Sequence, residues 1–526
     1  MLIHQTLDRA RRLYPEKEAV LDGDVCLTYA QLGARVDRLA GALRALGLAP
    51  GARIAVVMQN RHEYMETYFA AEQAGAVLVP LNQRLAPAEI AFILNDAGAT
   101  HLVLDAAHLP LYERFAAASP NLRAVLVVDA PRRLQPPLTD YEHALAAAEP
   151  LRGPARDWQP DHLVQLYYTS GTTGRAKGVM LSQRNVSANA IHAIMVLHFD
   201  QHDTWIHATP MFHLADAWAC WTLAWVGGRH VFLREFTPRG YLTLLQAHRV
   251  TASLLVPTMI NALINDPAMR EFDVSALRLL AFGAAPMPVD RLKAAMQLFP
   301  ATTFVQLYGM TETAPFATSL FYDEAIVTGP EHVSRRLASC GREIPGVEVR
   351  VLREDGREVA TGELGEIVMR GPNVMLGYWQ QADATAEALR GGWMHSGDMA
   401  TVDEEGFIFI VDRKKDMIIS GGENVYSTEV ENALYLHPAV LEVAVIGLPD
   451  PYWGERVHAV VVLKEGQHVN GEELTNFCRN QIAGFKIPRS VAFADALPKT
   501  GSGKIQKAAM RARYWSAHEA ETGRRI

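Results

Sequence analysis

The chain runs to 526 residues, too long for one ordinary hydrophobic core, so at least two domains are expected. Hydrophobic residues make up 49% and charged residues 21%, an ordinary globular balance, and a net charge of −8 gives no electrostatic case for nucleic acid or an anionic membrane as partner. The 4 cysteines (Cys26, Cys220, Cys340 and Cys478) have no CxxC or Cys/His ligand spacing, which argues against a disulfide framework or a zinc site and fits a reducing cytoplasm.

Met1-Leu2-Ile3-His4 leads at once into charged, helix-like sequence, with no secretory pattern. The longest apolar run, residues 217–228, falls short of the ~20 residues that span a bilayer. A cytoplasmic protein without an integral membrane segment is the expectation. Thr28-Tyr29-Ala30-Gln31 reads as a capping box, and Leu32, Val36, Leu39, Leu43 and Leu46 follow at the spacing of a core-facing helix. Ile54 to Met58, Val77 to Val79 and His101 to Leu104 read as short buried strands alternating with helices. That alternation predicts an α/β fold with doubly wound, mainly parallel sheets. Residues 131–160, rich in Pro, Ala and Arg, are expected to be a surface excursion.

The alternation resumes with a helix from Arg184, a strand at residues 230–233, a helix from Tyr241 and strands at 253–256 and 279–282. Over residues 343–369 the texture changes to alternating β with turns, predicting a β-rich subdomain. Beyond the charged Asp412-Arg413-Lys414-Lys415-Asp416, a helix capped at Thr428, two strands and a helix over 472–481 predict a small α/β domain of ordinary size. The expected boundaries are 1–413 for a large N-terminal domain and 414–526 for a mobile C-terminal one.

Between two strand-like stretches lies Thr169-Ser170-Gly171-Thr172-Thr173-Gly174-Arg175-Ala176-Lys177-Gly178. Glycines let backbone N–H groups approach an anion, and hydroxyls and a lysine add donors without bulk. A polyphosphate grip needs those properties, although a polar hairpin with no ligand has the same composition. It is not a Walker loop, because Gly178 rather than Ser or Thr follows Lys177 and a strand rather than a helix follows. Gln306-Leu307-Tyr308-Gly309-Met310-Thr311-Glu312-Thr313 ends a strand with a carboxylate and hydroxyls, as a ligand crevice or a helix start would. Trp393-Met394-His395-Ser396-Gly397-Asp398 ends on a carboxylate suited to a pair of hydroxyl donors, or to a tight turn. Pro498 to Lys507 holds Lys504 in a Gly-Ser-Gly-Lys turn, a point charge on a flexible stem.

In this order the motifs resemble those of the adenylate-forming superfamily (acyl-CoA synthetases, luciferases and peptide-synthetase adenylation domains), from Thr28-Tyr29 to Lys504. The resemblance implies an acyl-CoA synthetase that turns a carboxylate, ATP and coenzyme A into acyl-CoA, AMP and pyrophosphate. It implies that Thr169, Ser170, Gly171, Thr172, Thr173, Gly174 and Lys177 hold the phosphates. Gly283, Ala284 and Ala285 would line the adenine and acyl pocket, with Ala284 in place of the family's second glycine narrowing that wall. Tyr308 would stack near adenine, with Gly309 and Met310 beside it, Thr311 would contact phosphate and Glu312 would hold Mg2+. Asp398 and Arg413 would take the ribose and Asn424 would join the nucleotide site. Lys504 would be the catalytic lysine, Lys415 the hinge, and Gly421 and Gly422 the border of the coenzyme A tunnel. Ser396 replaces the family's threonine.

Pro210-Met211-Phe212-His213 resembles the segment at the acyl pocket, so His213, Trp218 and Ala314 are expected to line it, while Asp216 among the tryptophans has no evident role. An apolar lining favours a medium- or long-chain fatty acid first and a cinnamate- or benzoate-like acid second. An acyl carrier protein as acceptor and a homodimer are further expectations.

Overall fold

The computed structural model describes residues 2–131, 134–169, 176–285, 287–322, 324–413, 415–421, 423–450, 452–479, 481–501 and 503–522. A nine-stranded sheet runs in the order Arg342–Glu343, Phe316–Tyr322, Thr303–Gly309, Leu279–Gly283, Ala252–Leu255, Thr204–His207, Arg229–Phe232, Glu18–Asp22, Val25–Thr28. Its centre is parallel and its edges antiparallel. An eight-stranded sheet runs Gly377–Tyr378, Lys177–Ser182, Leu163–Thr169, Val77–Pro80, Arg53–Val57, Ala99–Asp105, Ala124–Val128, Leu138–Asp140, parallel from its third strand onward. Ile54, Ala55, Val56 and Val57 are all buried, because helices cover both faces of a parallel sheet.

The change of texture after residue 343 is a four-stranded antiparallel sheet, Glu348–Leu352, Gly365–Arg370, Met394–Val402, Ile408–Arg413. A smaller C-terminal sheet contains Glu423–Val425, Ile418–Ser420, Gly454–Leu463 and Val440–Asp450, with Ser490–Phe493 parallel to the third of these. The fold is therefore α/β, with a large N-terminal part and a smaller C-terminal one. Its hydrophobic clusters respect that division. Three are built from buried residues no later than Ile408, and two from buried residues no earlier than Ile418. Among the described residues, no helix is long and apolar enough to cross a membrane.

The capping box at Thr28 forms as its spacing predicts: the Thr28 hydroxyl accepts from the Gln31 N–H, and the Gln31 side chain accepts from the Thr28 N–H. Two local expectations fail. Residues 131–160 are not a bare excursion, because Leu138–Asp140 adds an edge strand and Tyr141–Ala147 a helix that buries Tyr141 and Leu145. Two buried residues per short helix leave too little periodicity to see. The helix expected to be capped by Thr428 is Ser427–Tyr435, which begins before Thr428 and has Tyr426 at its N-cap, with no side-chain cap bond, while the Ser427 hydroxyl donates to Asp412 at 2.7 Å.

Candidate active site

Two neighbouring parallel strands, Leu279–Gly283 and Thr303–Gly309, end at the same edge, the place where α/β sheets open a crevice. Gly283 lies so close to its neighbour that a Cβ there would meet the Leu307 carbonyl oxygen at 2.2 Å. A Cβ on Gly309 would meet the Pro315 carbonyl oxygen at 1.8 Å. Both positions demand glycine because backbone passes where a side chain would stand. Ala284 takes φ +67°, a left-handed conformation that costs an alanine about 1 kcal/mol and a glycine almost nothing.

The antiparallel sheet delivers the other wall. Asp398 and Arg413 are cross-strand partners, and Arg413 Nε lies 3.1 Å from Asp398 Oδ1. Tyr308, at the end of its strand, donates its hydroxyl to Asp398 Oδ2 at 2.8 Å. Burial, then the Asp398 charge, pushes the Tyr308 phenol well above its usual range, so it remains a donor. Ser396 accepts from the Asp398 N–H at 3.0 Å and donates to the Ile367 carbonyl at 2.7 Å, fixing the turn that aims the carboxylate.

Glu312, in the short turn Thr311–Thr313 that follows Met310, is buried and accepts from the Tyr378 hydroxyl at 2.9 Å. The Lys177 ammonium stands 5.0 Å from the centre of that same ring, within cation–π range. Tyr378 thus lies between Lys177 and the Glu312 carboxylate, and sequence reasoning missed it, because a Gly-Tyr dipeptide at a sheet edge has no distinguishing pattern. Leu163–Thr169 and Lys177–Ser182 pair antiparallel, with Thr169 opposite Lys177, so a strand does follow the loop. Ser170, Gly171, Thr172, Thr173 and Gly174 lie outside the described residues, as does Gly422. Ala314 is buried just after the Glu312 turn, and Ala285 is half-buried beside Ala284.

Lys504 comes to this crevice from the small domain. Its loop is closed by the Thr500 N–H to the Lys504 carbonyl at 2.7 Å and by a bridge between Lys499 and Ile505. It rests on the large domain through glycines: a Cβ on Gly501 would meet the Asn82 side chain at 2.4 Å, and one on Gly503 would meet Thr258 Oγ1 at 2.9 Å. Burial, and then Arg413, pull the Lys504 ammonium down to about 8, against the opposing charges of Asp398 and Glu312. Burial, and then the charge of Lys504, pull the His213 imidazole down to about 3, so it is neutral at any physiological pH.

His213 occupies the N-cap position of the helix Leu214–Val226, without a side-chain capping bond, at the end of the Pro210-Met211-Phe212-His213 segment. Trp218 on that helix is fully buried, with ring centroids 4.9 Å from Trp205 and 5.0 Å from Phe316. Asp216, without a role on sequence grounds, is the partner of His207, whose Nδ1 lies 2.5 Å from Asp216 Oδ2. Three expected site residues lie outside this set of contacts. Asn424 is exposed on Glu423–Val425 opposite Ile419, and Gly421 donates its N–H to the Trp453 carbonyl of its own sheet at 2.7 Å. Lys415 is exposed, and its carbonyl accepts from Arg511 at 3.0 Å.

Comparison with known proteins gives the chain a family. The AMP-binding enzyme family matches residues 7–379, and the AMP-binding enzyme C-terminal domain matches residues 429–504. A feruloyl-CoA synthase of Amycolatopsis sp is 43% identical over 507 residues, covering 96% of this chain and 98% of that one. A long-chain-fatty-acid–CoA ligase of Mycobacterium tuberculosis is 35% identical over 502 residues, covering 93% and 94%. The o-succinylbenzoate CoA synthetase of Bacillus subtilis, solved with its acyl-adenylate intermediate, superposes with a TM-score of 0.83 at 31% identity, covering 96% and 97%.

Proposed function

The chain belongs to the AMP-binding enzyme family and is an AMP-forming acid–CoA ligase of the adenylate-forming superfamily, and from that premise we propose that it activates an aryl acid of the hydroxycinnamate type. The observation that carries the site assignment is the convergence of Tyr308, Asp398, Arg413, Glu312 and Lys504 on one crevice.

In the first half-reaction a carboxylate oxygen attacks the α-phosphorus of ATP, forming the mixed anhydride and releasing pyrophosphate. Asp398 accepts the ribose hydroxyls, Arg413 steadies Asp398, and Tyr308 forms the adenine wall beside Gly283, Ala284 and Ala285. Lys504 sets its ammonium between the carboxylate and the α-phosphate, and Lys177 and the hydroxyls of its hairpin hold the departing phosphates. This is catalysis by positioning and by charge placed in advance. The buried Glu312 carboxylate, with Tyr378 on one oxygen, fits a hard cation of the Mg2+ type, which would neutralise phosphate charge beside Thr311. In the second half-reaction the coenzyme A sulfur attacks the acyl carbonyl, the thiol proton is lost and AMP leaves. For that step the small domain turns about Lys415, withdrawing Lys504 and presenting Gly421 and Gly422.

The aryl reading is supported by the 43% identity to a feruloyl-CoA synthase. A medium- or long-chain fatty acid is the second reading, supported by the apolar wall and the fatty-acid relative. The test is product analysis with ATP, Mg2+ and a panel of hydroxycinnamates, benzoates and fatty acids, with and without coenzyme A. AMP, pyrophosphate and a thioester made fastest from a hydroxycinnamate is the expected result. Preference for a fatty acid would overturn the substrate class, adenylate without thioester would point to a carrier protein as acceptor, and ADP would overturn the reading.

A further inference from the structure

Asn60 follows the strand Arg53–Val57 of the eight-stranded sheet, yet its side chain is spent wholly on the other sheet. Its Nδ2 donates to the His207 carbonyl at 3.0 Å and to the Thr209 carbonyl at 2.8 Å, and its Oδ1 accepts from the Met211 N–H at 2.8 Å. One buried amide thus holds three backbone groups of the segment that ends in His213. The Met211 carbonyl is taken as well, by the Tyr68 hydroxyl at 2.7 Å. From the other side, Asp216 accepts from Trp205 Nε1 at 3.3 Å and Thr209 Oγ1 at 3.4 Å besides meeting His207.

The residues after Asn60 anchor it. Arg61 pairs with Glu63 at 2.6 Å and Asp129 at 2.8 Å, and His62 Nδ1 lies 2.8 Å from Asp22 Oδ2 on the nine-stranded sheet. Residues 60–63 are therefore a weld between the two sheets, placed where the acid-binding segment leaves its strand. A fully paired amide at 5% exposure specifies geometry, since each backbone partner would otherwise be buried and unpaired.

We propose that Asn60 is a positioning residue for the acid site, acting through the backbone of residues 207–211 to fix the segment that ends in His213. The kinetic arm of its test rests on the acid–CoA ligase reading, and the exchange arm does not. Asn60→Ala is expected to speed amide hydrogen exchange in the 207–213 segment alone. It should raise KM for the acid about tenfold or more, with KM for ATP within about twofold. Tyr68→Phe, which removes the bond to the Met211 carbonyl together with the one to the Tyr167 hydroxyl at 2.9 Å and leaves Asn60 in place, should move both readouts less, in the same direction, and serves if Asn60→Ala does not fold. Trp158→Phe removes a buried bond to the Glu72 carbonyl far along the chain and controls for lost stability. Unchanged exchange at 207–213, parallel rises in both KM values, or the same pattern in Trp158→Phe would overturn the assignment. A wild-type enzyme that activates no acid would defeat the ligase reading instead, leaving the exchange result to decide the role of Asn60.

Discussion

The segment that ends in His213, proposed to bind the acid, and the Lys504 loop are held in opposite ways. The first is fixed by buried side chains, Asn60 and Tyr68 on its backbone and Asp216 on His207. The second is closed on itself and rests on the large domain where Gly501 and Gly503 admit Asn82 and Thr258. No hydrophobic cluster among the described residues joins the two domains through buried members. Undocking the lysine therefore exposes little core, whereas moving the acid segment would break a buried network. The proposed exchange of one catalytic face for another, with the acyl group kept in place, would use that asymmetry.

The largest effect should come from removing the detachable charge. Lys504→Ala is expected to cut pyrophosphate release by about a hundredfold or more, while thioester formation from supplied acyl-adenylate changes little. Equal losses in both half-reactions would erase the distinction between the two regions. Asp398→Ala attacks the fixed wall, orphaning Tyr308 and Arg413, and should raise KM for ATP by about ten- to a hundredfold with the acid KM far less affected, as read by isotope exchange.

The pH profile sharpens the same contrast. Because its surroundings lower the Lys504 ammonium to about 8, the protonated fraction declines above that pH, and kcat/KM for adenylate formation should fall there, well before an exposed lysine would deprotonate. His213, neutral down to about 3, contributes no limb between. Lys504→Arg, permanently charged, should abolish the alkaline fall even at reduced rate. The smallest effect concerns backbone: Ala284→Gly should stabilise the large domain by about 0.5–1 kcal/mol in denaturant unfolding, relieving the left-handed alanine.

What the sequence made legible were the strand-end motifs. Asp398, Arg413, Tyr308 and Glu312 each sit beside a recognisable punctuation of glycine or charge, and strand pairing alone brings Asp398 opposite Arg413. Contacts made across sheets were not legible. Tyr378 reaches Glu312 over 66 residues, and Asn60 reaches Met211 over 151, with no periodicity to announce either. Asp216 looked misplaced because its partner His207 lies on the preceding strand, and the helix Tyr141–Ala147 was hidden by the prolines and alanines around it.

The most direct test of this account is to make the detachable loop permanent. A Cβ at position 501 would stand 2.8 Å from the Asn82 side-chain carbon, close enough for Asn82→Cys with Gly501→Cys to be joined by a disulfide. The oxidised double variant should form acyl-adenylate and pyrophosphate but almost no acyl-CoA, and reduction should restore thioester formation. Full thioester formation in the oxidised enzyme would show that Lys504 need not withdraw, and would contradict the account.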